Sequence, residues 1–260
     1  MTAPTLRAFG KTDRGLIRAG NEDSFVMADL VGEAWSGEGK AAWSISSRGI
    51  LLAVSDGMGG AKAGEIASAL SVEKVLEGMV EAARNDRPSG ETLRRVVEEA
   101  SLAVYREAQR ADRRGMGATL TAVLISGHEA FIAQIGDSRA YLIRDGKMGQ
   151  ITHDQSYVQL MVDAGVMTPA QAERSPRKNV ILQVMGQETA VRVALGSVEL
   201  AQGDRLLLCS DGLTNAVDDA VVRELAQPPI DIEAACEALI AETLESGAPD
   251  NVTVVLAELA

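Results

Sequence analysis

Residues 119–144, TLTAVLISGHEAFIAQIGDSRAYLIR, decide the fold because they hold three apolar runs separated by two short polar segments. The runs cover 119–125, 130–135 and 140–144, and Gly, Asp or Ser residues stand between them. Apolar runs joined by only four residues are typical of consecutive antiparallel strands, since parallel strands need a longer crossover. The stretch therefore predicts an antiparallel sheet.

Further elements are predicted on both sides of this stretch. Apolar runs predict additional strands at 49–55, 205–210 and 251–258. Apolar residues at helical spacing predict helices at 62–83, 91–111 and 231–245. Because a polar turn at 85–90 separates the first two helices, we expect these two to form an antiparallel pair.

The order of these elements determines the predicted fold class. Strands at hairpin spacing and segregated helices favour an α+β fold over a doubly wound α/β fold. We expect two antiparallel β-sheets packed as a sandwich and flanked by antiparallel helix pairs. Because the sequence contains no internal repeat, low-complexity tract or long linker, we expect a single domain over residues 1–260.

The polar segment 29–49, which contains Trp35 and Trp43, allows two interpretations. One is a long hairpin tip between two strands. The other is a partner-binding tip, because Trp is favoured at binding hot spots.

Composition limits the function classes. A net charge of −12 argues against non-specific nucleic-acid binding, which needs a basic surface. No apolar run approaches the roughly 20 residues that span a bilayer, and residues 1–11 lack the apolar core of a secretory signal. We therefore expect a cytoplasmic protein without membrane or nucleic-acid partners. Nothing indicates an obligate dimer, so a monomer is expected, with Cys209 and Cys236 as reduced core thiols.

Aspartates beside small residues are the strongest chemical signal: Asp23, Asp56, Asp137, Asp211 and Asp250. Three of them end or flank the apolar runs that predict buried strands. A buried carboxylate is costly unless something pairs with it, and several that converge repel one another unless hard cations lie between them. The pattern predicts an oxygen-only site for Mg²⁺ or Mn²⁺.

The aspartates lie in motifs that follow one another in a fixed order. The motifs are Thr12-Asp13-Arg14-Gly15, Arg18, Asn21-Glu22-Asp23, Asp56-Gly57-Met58-Gly59-Gly60, Gly64-Glu65, Gly117-Ala118-Thr119, Gly136-Asp137-Ser138-Arg139-Ala140-Tyr141, Ser210-Asp211-Gly212-Leu213 and Asp250-Asn251-Val252-Thr253. Each is weak alone, but the ordered set resembles the metal-dependent serine/threonine protein phosphatases, or type 2C phosphatases, of the bacterial type. The resemblance runs from about Thr12 to Leu256.

The resemblance implies hydrolysis of phosphoserine and phosphothreonine by a water that bridges two cations, Mg²⁺ or Mn²⁺. It implies that Asp211 and Asp250 hold the first cation together with Asp56. Asp56 and the Gly57 carbonyl would hold the second, and bacterial relatives share a third, weaker one between Asp137 and Asp211. Because Mg²⁺ keeps several waters, Glu22 and Asp23 are expected to act as outer acceptors rather than direct ligands.

Arg18 matches the phosphate-binding arginine of the family, and a guanidinium presents a planar fork to two phosphate oxygens. Two positions depart from the relatives. Met58 stands where eukaryotic members have a histidine proposed as general acid, and methionine cannot donate a proton. Gln155 replaces another usual histidine, while His153 stands two residues earlier, either as a solvated loop residue or in a new acid or substrate-contact role.

Residues 156–186 resemble the family's mobile flap and contain a cationic cluster at 174–179. The cluster is either a solvated loop or a docking surface for a phosphorylated or acidic peptide. The expected partners are phosphorylated proteins, namely a serine/threonine kinase or its substrates. The alternative to an enzyme is a catalytically inactive phosphopeptide-binding module of the same fold, but the presence of every ligand-type aspartate argues against it.

Overall fold

The computed structural model describes residues 4–32, 34–35, 38–59, 63–85 and 87–260. The strands in these residues are β1 Thr5–Asp13, β2 Asp23–Asp29, β3 Ala34–Trp35, β4 Gly39–Ser44, β5 Ile50–Met58, β6 Gly117–Ala118, β7 Leu120–Ser126, β8 Glu129–Ile135, β9 Arg139–Arg144, β10 Lys147–Gln150, β11 Ala194–Glu199, β12 Arg205–Cys209 and β13 Val252–Leu259. The helices in them are α1 Ala63–Asn85, α2 Gly90–Ala108, α3 Tyr157–Asp163, α4 Pro169–Glu173, α5 Asp211–Thr214, α6 Asp219–Ala226 and α7 Ile232–Glu245.

The strands form two antiparallel sheets, as predicted. The first sheet has the strand order β10-β9-β12-β13-β1-β4, and the second has the order β11-β8-β7-β5-β2-β3, with β6 paired to β5. Three apolar layers hold the sandwich together. One layer lies between the sheets and includes Leu52, Val54 and Leu208. The second lies between the second sheet and α1 and α2, and the third packs α6 and α7 on the first sheet. The α+β sandwich with flanking helices is therefore confirmed.

The segment 29–49 joins β2 to β5, which pair antiparallel with Asp29 opposite Ile50, so its interpretation as a long hairpin tip between two strands is confirmed. β3 pairs with β2 in the second sheet, whereas β4 pairs with β1 at the edge of the first. Trp43 is partly buried against the layer between the sheets, and the side chain of Trp35 lies outside the described residues. The alternative, a partner-binding tip, stays a prediction.

The predicted elements are present with shifted ends. The strand predicted at 49–55 continues to Met58. The helix predicted at 91–111 ends at Ala108, and residue 62, the predicted start of the preceding helix, lies outside the described residues. Both cysteines are free and buried. In the described part of the chain, the helices are too short or too polar to cross a bilayer.

Candidate active site

The five aspartates converge at one end of the sandwich. Asp56 lies near the end of β5, and the sheet register places Asp23, the first residue of β2, directly opposite it. Asp137 lies in the turn between β8 and β9, Asp211 begins α5 after β12, and Asp250 precedes β13. Strands from both sheets thus deliver carboxylates to the same edge.

Asp56 lies at the centre of this group electrostatically. Burial raises the pKa of its carboxyl well above the usual value, and the negative charges of Asp23, Asp211, Asp250 and Asp137 raise it further. Four neighbouring carboxylates are therefore close enough to Asp56 to oppose its ionisation.

Asp23 links the two sheets. The hydroxyls of Ser210 and Thr253, both from the first sheet's side, each donate to Asp23 Oδ2 at 2.7 Å. Burial raises the pKa of Asp23 to about 7, although these two hydrogen bonds act in the opposite direction. Its other oxygen, Oδ1, is buried and has no hydrogen-bond partner.

Unpartnered buried oxygens recur across the site. Burial raises the pKa of Asp137 to about 7, with a further contribution from the charge of Asp211, and burial followed by the charge of Asp250 raises that of Asp211. The carboxylate oxygens without a partner are Glu22 Oε1, Asp23 Oδ1, Asp137 Oδ1 and Asp211 Oδ1. Buried polar atoms normally find a partner, so these oxygens indicate a site built to accept one.

Close backbone contact surrounds Gly57. A Cβ at this position would lie 2.1 Å from the Gly64 carbonyl oxygen and 2.6 Å from that of Glu22. The Gly57 amide donates to the Glu22 carbonyl oxygen at 3.1 Å, and Ser68 Oγ of α1 donates to the same oxygen at 2.5 Å. A side chain at position 57 would therefore push β5 away from the loop that carries Glu22.

Arg18 lies beside the carboxylates, in the loop between β1 and β2. Its Nη2 donates to Asp250 Oδ2 at 2.6 Å, while 48% of the Arg18 side chain stays exposed. Asn251 secures the loop: its Nδ2 donates to the carbonyl oxygens of Arg14 and Gly20, and its Oδ1 accepts from the Glu22 amide at 2.8 Å. The family resemblance predicted Arg18 at the site, but the sequence did not predict its hydrogen bond with Asp250.

Gln155, which stands in place of a usual histidine, and His153, two residues earlier, have different surroundings. Gln155 Oε1 accepts from the Gly136 amide at 2.8 Å, and Gln155 Nε2 donates to the Arg192 carbonyl oxygen at 3.0 Å. Gln155 therefore fixes the turn that carries Asp137. His153 pairs instead with Asp163 at 2.7 Å on the surface, with 65% of its side chain exposed.

The flap, residues 156–186, encloses a cavity of about 520 Å³ against residues 211–219. In the cationic cluster, Arg177 lies over the Tyr157 ring at 5.2 Å, and Lys178 Nζ donates to Asn215 Oδ1 at 3.2 Å. Asn215 Nδ2 in turn donates to Asp211 Oδ2 at 2.9 Å. Sequence reasoning missed Asn215, which directly follows α5 and lies four residues after Asp211, a spacing at which two side chains become neighbours in a helical turn.

An oxygen-only set of this kind suits Mg²⁺ or Mn²⁺. Within the described residues, no three His, Cys, Asp or Glu side chains already stand as the finished ligand set of an ion. The carboxylates are instead neighbours that repel one another, and several of their oxygens remain free to accept a cation. A bound divalent cation would relieve both the repulsion and the unsatisfied oxygens.

Comparison with known proteins gives a consistent picture. The family model described as protein phosphatase 2C matches residues 38–256. The serine/threonine protein phosphatase PstP of Mycobacterium tuberculosis is 38% identical over 259 residues, which are 98% of this chain but 45% of that protein. The serine/threonine phosphatase stp of Listeria innocua is 34% identical over 252 residues, covering 95% of this chain and 94% of that protein.

A solved structure extends the likeness to three dimensions. It is the catalytic domain of the serine threonine protein phosphatase PstP in complex with two manganese ions. The two chains superpose with a TM-score of 0.78 at 36% identity, over 99% of this chain and 100% of that one. The chain thus spans less than half of the first relative and the whole of this catalytic domain.

Proposed function

The chain belongs to the protein phosphatase 2C family, and on that premise we propose that it hydrolyses phosphoserine and phosphothreonine in proteins with Mg²⁺ or Mn²⁺. One observation carries the proposal: carboxylates from both sheets converge at one edge and keep buried oxygens without partners. In the related PstP catalytic domain the structure contains two manganese ions.

We assign these residues to the cations as follows. Asp56, at the centre of the group, is shared by both; Asp211 and Asp250 complete the first set, and the Gly57 carbonyl belongs to the second. Asp137 and Asp211 are the candidates for a third. Glu22 and Asp23 would act as outer acceptors, and the bonds from Ser210 and Thr253 hold Asp23 in place.

Two cations on these residues supply the Lewis acidity that makes water a nucleophile at neutral pH. Arg18 binds the phosphate group. Its guanidinium has five N–H donors, and Asp250 uses one edge, so the remaining donors can face two phosphate oxygens. Met58 has no proton to donate, so the leaving oxygen must be protonated by a group at another position.

We also propose the finer properties of the protein. Residues 1–260 would act as one domain whose flap, at about 156–186, borders the site. The partners would be phosphorylated proteins, among them a serine/threonine kinase or that kinase's substrates. A monomeric, cytoplasmic protein fits the sequence composition. The inactive phosphopeptide-binding alternative gains no support, because the carboxylates it would have lost are all in place.

The proposal is tested by phosphate release from a phosphothreonine peptide and from a phosphotyrosine peptide. The chain is first stripped with EDTA and then given Mg²⁺ or Mn²⁺. We expect no turnover in EDTA, recovery with either cation, and preference for the phosphothreonine peptide. Binding of the peptide without turnover under every condition would favour the inactive module, and preference for phosphotyrosine would refute the substrate class.

A further inference from the structure

A short chain of hydrogen bonds joins the flap to Asp211. Lys178 Nζ donates to Asn215 Oδ1 at 3.2 Å, and Asn215 Nδ2 donates to Asp211 Oδ2 at 2.9 Å. Neither Asn215 nor Lys178 has a part in the cation set or in phosphate binding as described above. We call Lys178, Asn215 and Asp211 the relay.

The chemistry of the three groups allows only one assignment of donors and acceptors in the relay. An ammonium group only donates hydrogen bonds and an ionised carboxylate only accepts them, while an amide has one acceptor atom and one donor atom. Lys178 therefore holds the amide oxygen towards the flap, which turns the amide nitrogen towards Asp211. With Oδ2 of Asp211 so engaged, the buried Oδ1 is the oxygen left without a partner.

Among the described residues, the flap contacts the acidic end of the sandwich at both of its ends and near its middle. Just before the flap, the Gln155 backbone amide donates to the Gly136 carbonyl oxygen at 2.9 Å, and Gln155 Oε1 accepts from the Gly136 amide at 2.8 Å. At its far end, Met185 and Ala118 exchange backbone hydrogen bonds of 2.8 and 3.2 Å. The contact near the middle is the Lys178–Asn215 bond, which is exposed and is made by two side chains, so it is easier to break than the contacts that involve backbone groups.

The cavity under the flap borders the relay. Lys178, Asn215 and Asp211 all line the space of about 520 Å³ between the flap and residues 211–219. A substrate segment that enters this space would contact Lys178 and Asn215 directly. Because Asn215 contacts both Lys178 of the flap and the Asp211 carboxylate, the position of the flap affects the orientation of that carboxylate.

We propose that Asn215 is a positioning residue for Asp211, and that Lys178 makes this positioning depend on where the flap lies. The inference rests on the proposed function, because it takes Asp211 as a cation ligand. Linkage is reciprocal, so a flap placement that strengthens cation binding is itself favoured when the cation binds. The relay thereby couples occupation of the cavity to cation affinity.

The test measures Mn²⁺ affinity by titration calorimetry on the EDTA-stripped chain, without any substrate. Asn215→Ala should weaken Mn²⁺ binding about 10- to 100-fold, the usual effect of losing a group that orients a metal ligand. Lys178→Met should weaken it about 2- to 10-fold, on the scale of one hydrogen bond. The double variant should bind no more weakly than Asn215→Ala alone, because both changes break the same relay.

Two further variants serve as controls. Arg177→Met removes a neighbouring flap cation that contacts the Tyr157 ring rather than the relay, and should keep wild-type affinity. Asn215→Leu keeps the size of the side chain and removes both amide atoms, so it should match Asn215→Ala; thermal unfolding in EDTA verifies that each variant is folded.

Each outcome decides a part of the inference. Wild-type affinity in both Asn215 variants would overturn the positioning role. Additive losses in the double variant, wild-type affinity in Lys178→Met, or equal losses in Arg177→Met and Lys178→Met would overturn the dependence on the flap. Failure of the wild-type chain to bind Mn²⁺ would refute the proposed cation site itself, and the relay with it.

Discussion

The two halves of β5 show how one strand serves two opposite purposes. In Ile50–Val54 every residue is apolar and fully buried; Leu52 and Val54 face the other sheet, while Leu51 and Ala53 face the helices. The strand then continues without a break through Ser55, Asp56 and Gly57. The first half removes apolar surface from water, whereas the second brings a carboxylate into a group of like charges.

The difference between the halves has an energetic meaning. A fully buried aliphatic side chain contributes about 1.5–3 kcal/mol to stability. Asp56, in contrast, has a raised pKa because burial and four neighbouring carboxylates oppose its charge, so in its ionised form it destabilises the fold at neutral pH. We infer that the apolar half stabilises a backbone on which the acidic half can be held ready for cations.

The largest expected effect comes from the acidic half. Asp56→Asn keeps the size of the side chain but removes the charge that we propose the two cations share. We expect turnover of a phosphothreonine peptide at saturating Mn²⁺ to fall by at least about 10²–10³-fold, the scale of losing one well-placed electrostatic group. Steady-state kinetics would measure it, and a variant that kept a large part of wild-type turnover would contradict the assignment.

The apolar half should respond in the opposite way. Leu52→Ala leaves a cavity between the sheets, and we expect the free energy of unfolding to fall by about 2–5 kcal/mol. Because the carboxylates are untouched, turnover per folded molecule should stay near the wild-type value at low temperature. Urea denaturation combined with an active-site titration would measure both. A loss of turnover greater than the loss of folded protein would show that the halves are not separable.

A variant of Arg18 extends the comparison to substrate binding. Arg18→Ala should raise KM for the phosphopeptide by about 10- to 100-fold with a smaller loss in kcat, because a phosphate clamp acts on the ground and transition states alike. Arg18→Lys should recover little, since a point charge cannot replace the planar fork. Full recovery with lysine would mean that simple charge attraction is enough.

The apolar half of β5 was predictable from sequence, and the acidic half was predictable only in part. Five apolar residues in a row predict a buried strand, but Gly57 resembles a turn residue, so the predicted strand ended too early. Gly57 continues the strand because the Gly64 and Glu22 carbonyl oxygens leave no room for a side chain. β1 was missed for a related reason: Gly10 interrupts its apolar pattern, yet a Cβ there would lie 2.3 Å from the Phe25 ring.

The candidate site shows the same division. The aspartates are visible in the sequence because carboxylates beside small residues at strand ends are unusual. The sequence does not reveal contacts between distant parts of the chain, such as Arg18 with Asp250 or Ser210 with Asp23. The flap helix α4 did carry a local signal, since Thr168 and Gln171 form a capping box with Pro169 at the first helical position.

The smallest expected effect is a pH dependence of the stabilisation by Mn²⁺. Burial raises the pKa of Asp23 and Asp137 from 3.8 to about 7. Without cations, these carboxyls therefore stabilise the fold most at acidic pH, and that stability is lost as pH rises through about 7. Mn²⁺ competes with the same protons, so its addition should raise the Tm little on the acidic side and more above about pH 7. Differential scanning calorimetry would measure the rise in Tm on addition of Mn²⁺. A rise that does not change with pH would contradict this prediction.

The central claim, that the acidic end of the sandwich lowers stability in order to hold cations, is tested most directly by four melting curves near neutral pH. Wild type and Asp56→Asn are each unfolded in EDTA and in saturating Mn²⁺. In EDTA, Asp56→Asn should melt higher than wild type by several degrees, at roughly 2–4 °C per kcal/mol. In Mn²⁺ the order should reverse, because only wild type keeps the carboxylate that we propose the two cations share. A wild type that melts higher in EDTA, or an equal response of both proteins to Mn²⁺, would contradict the account.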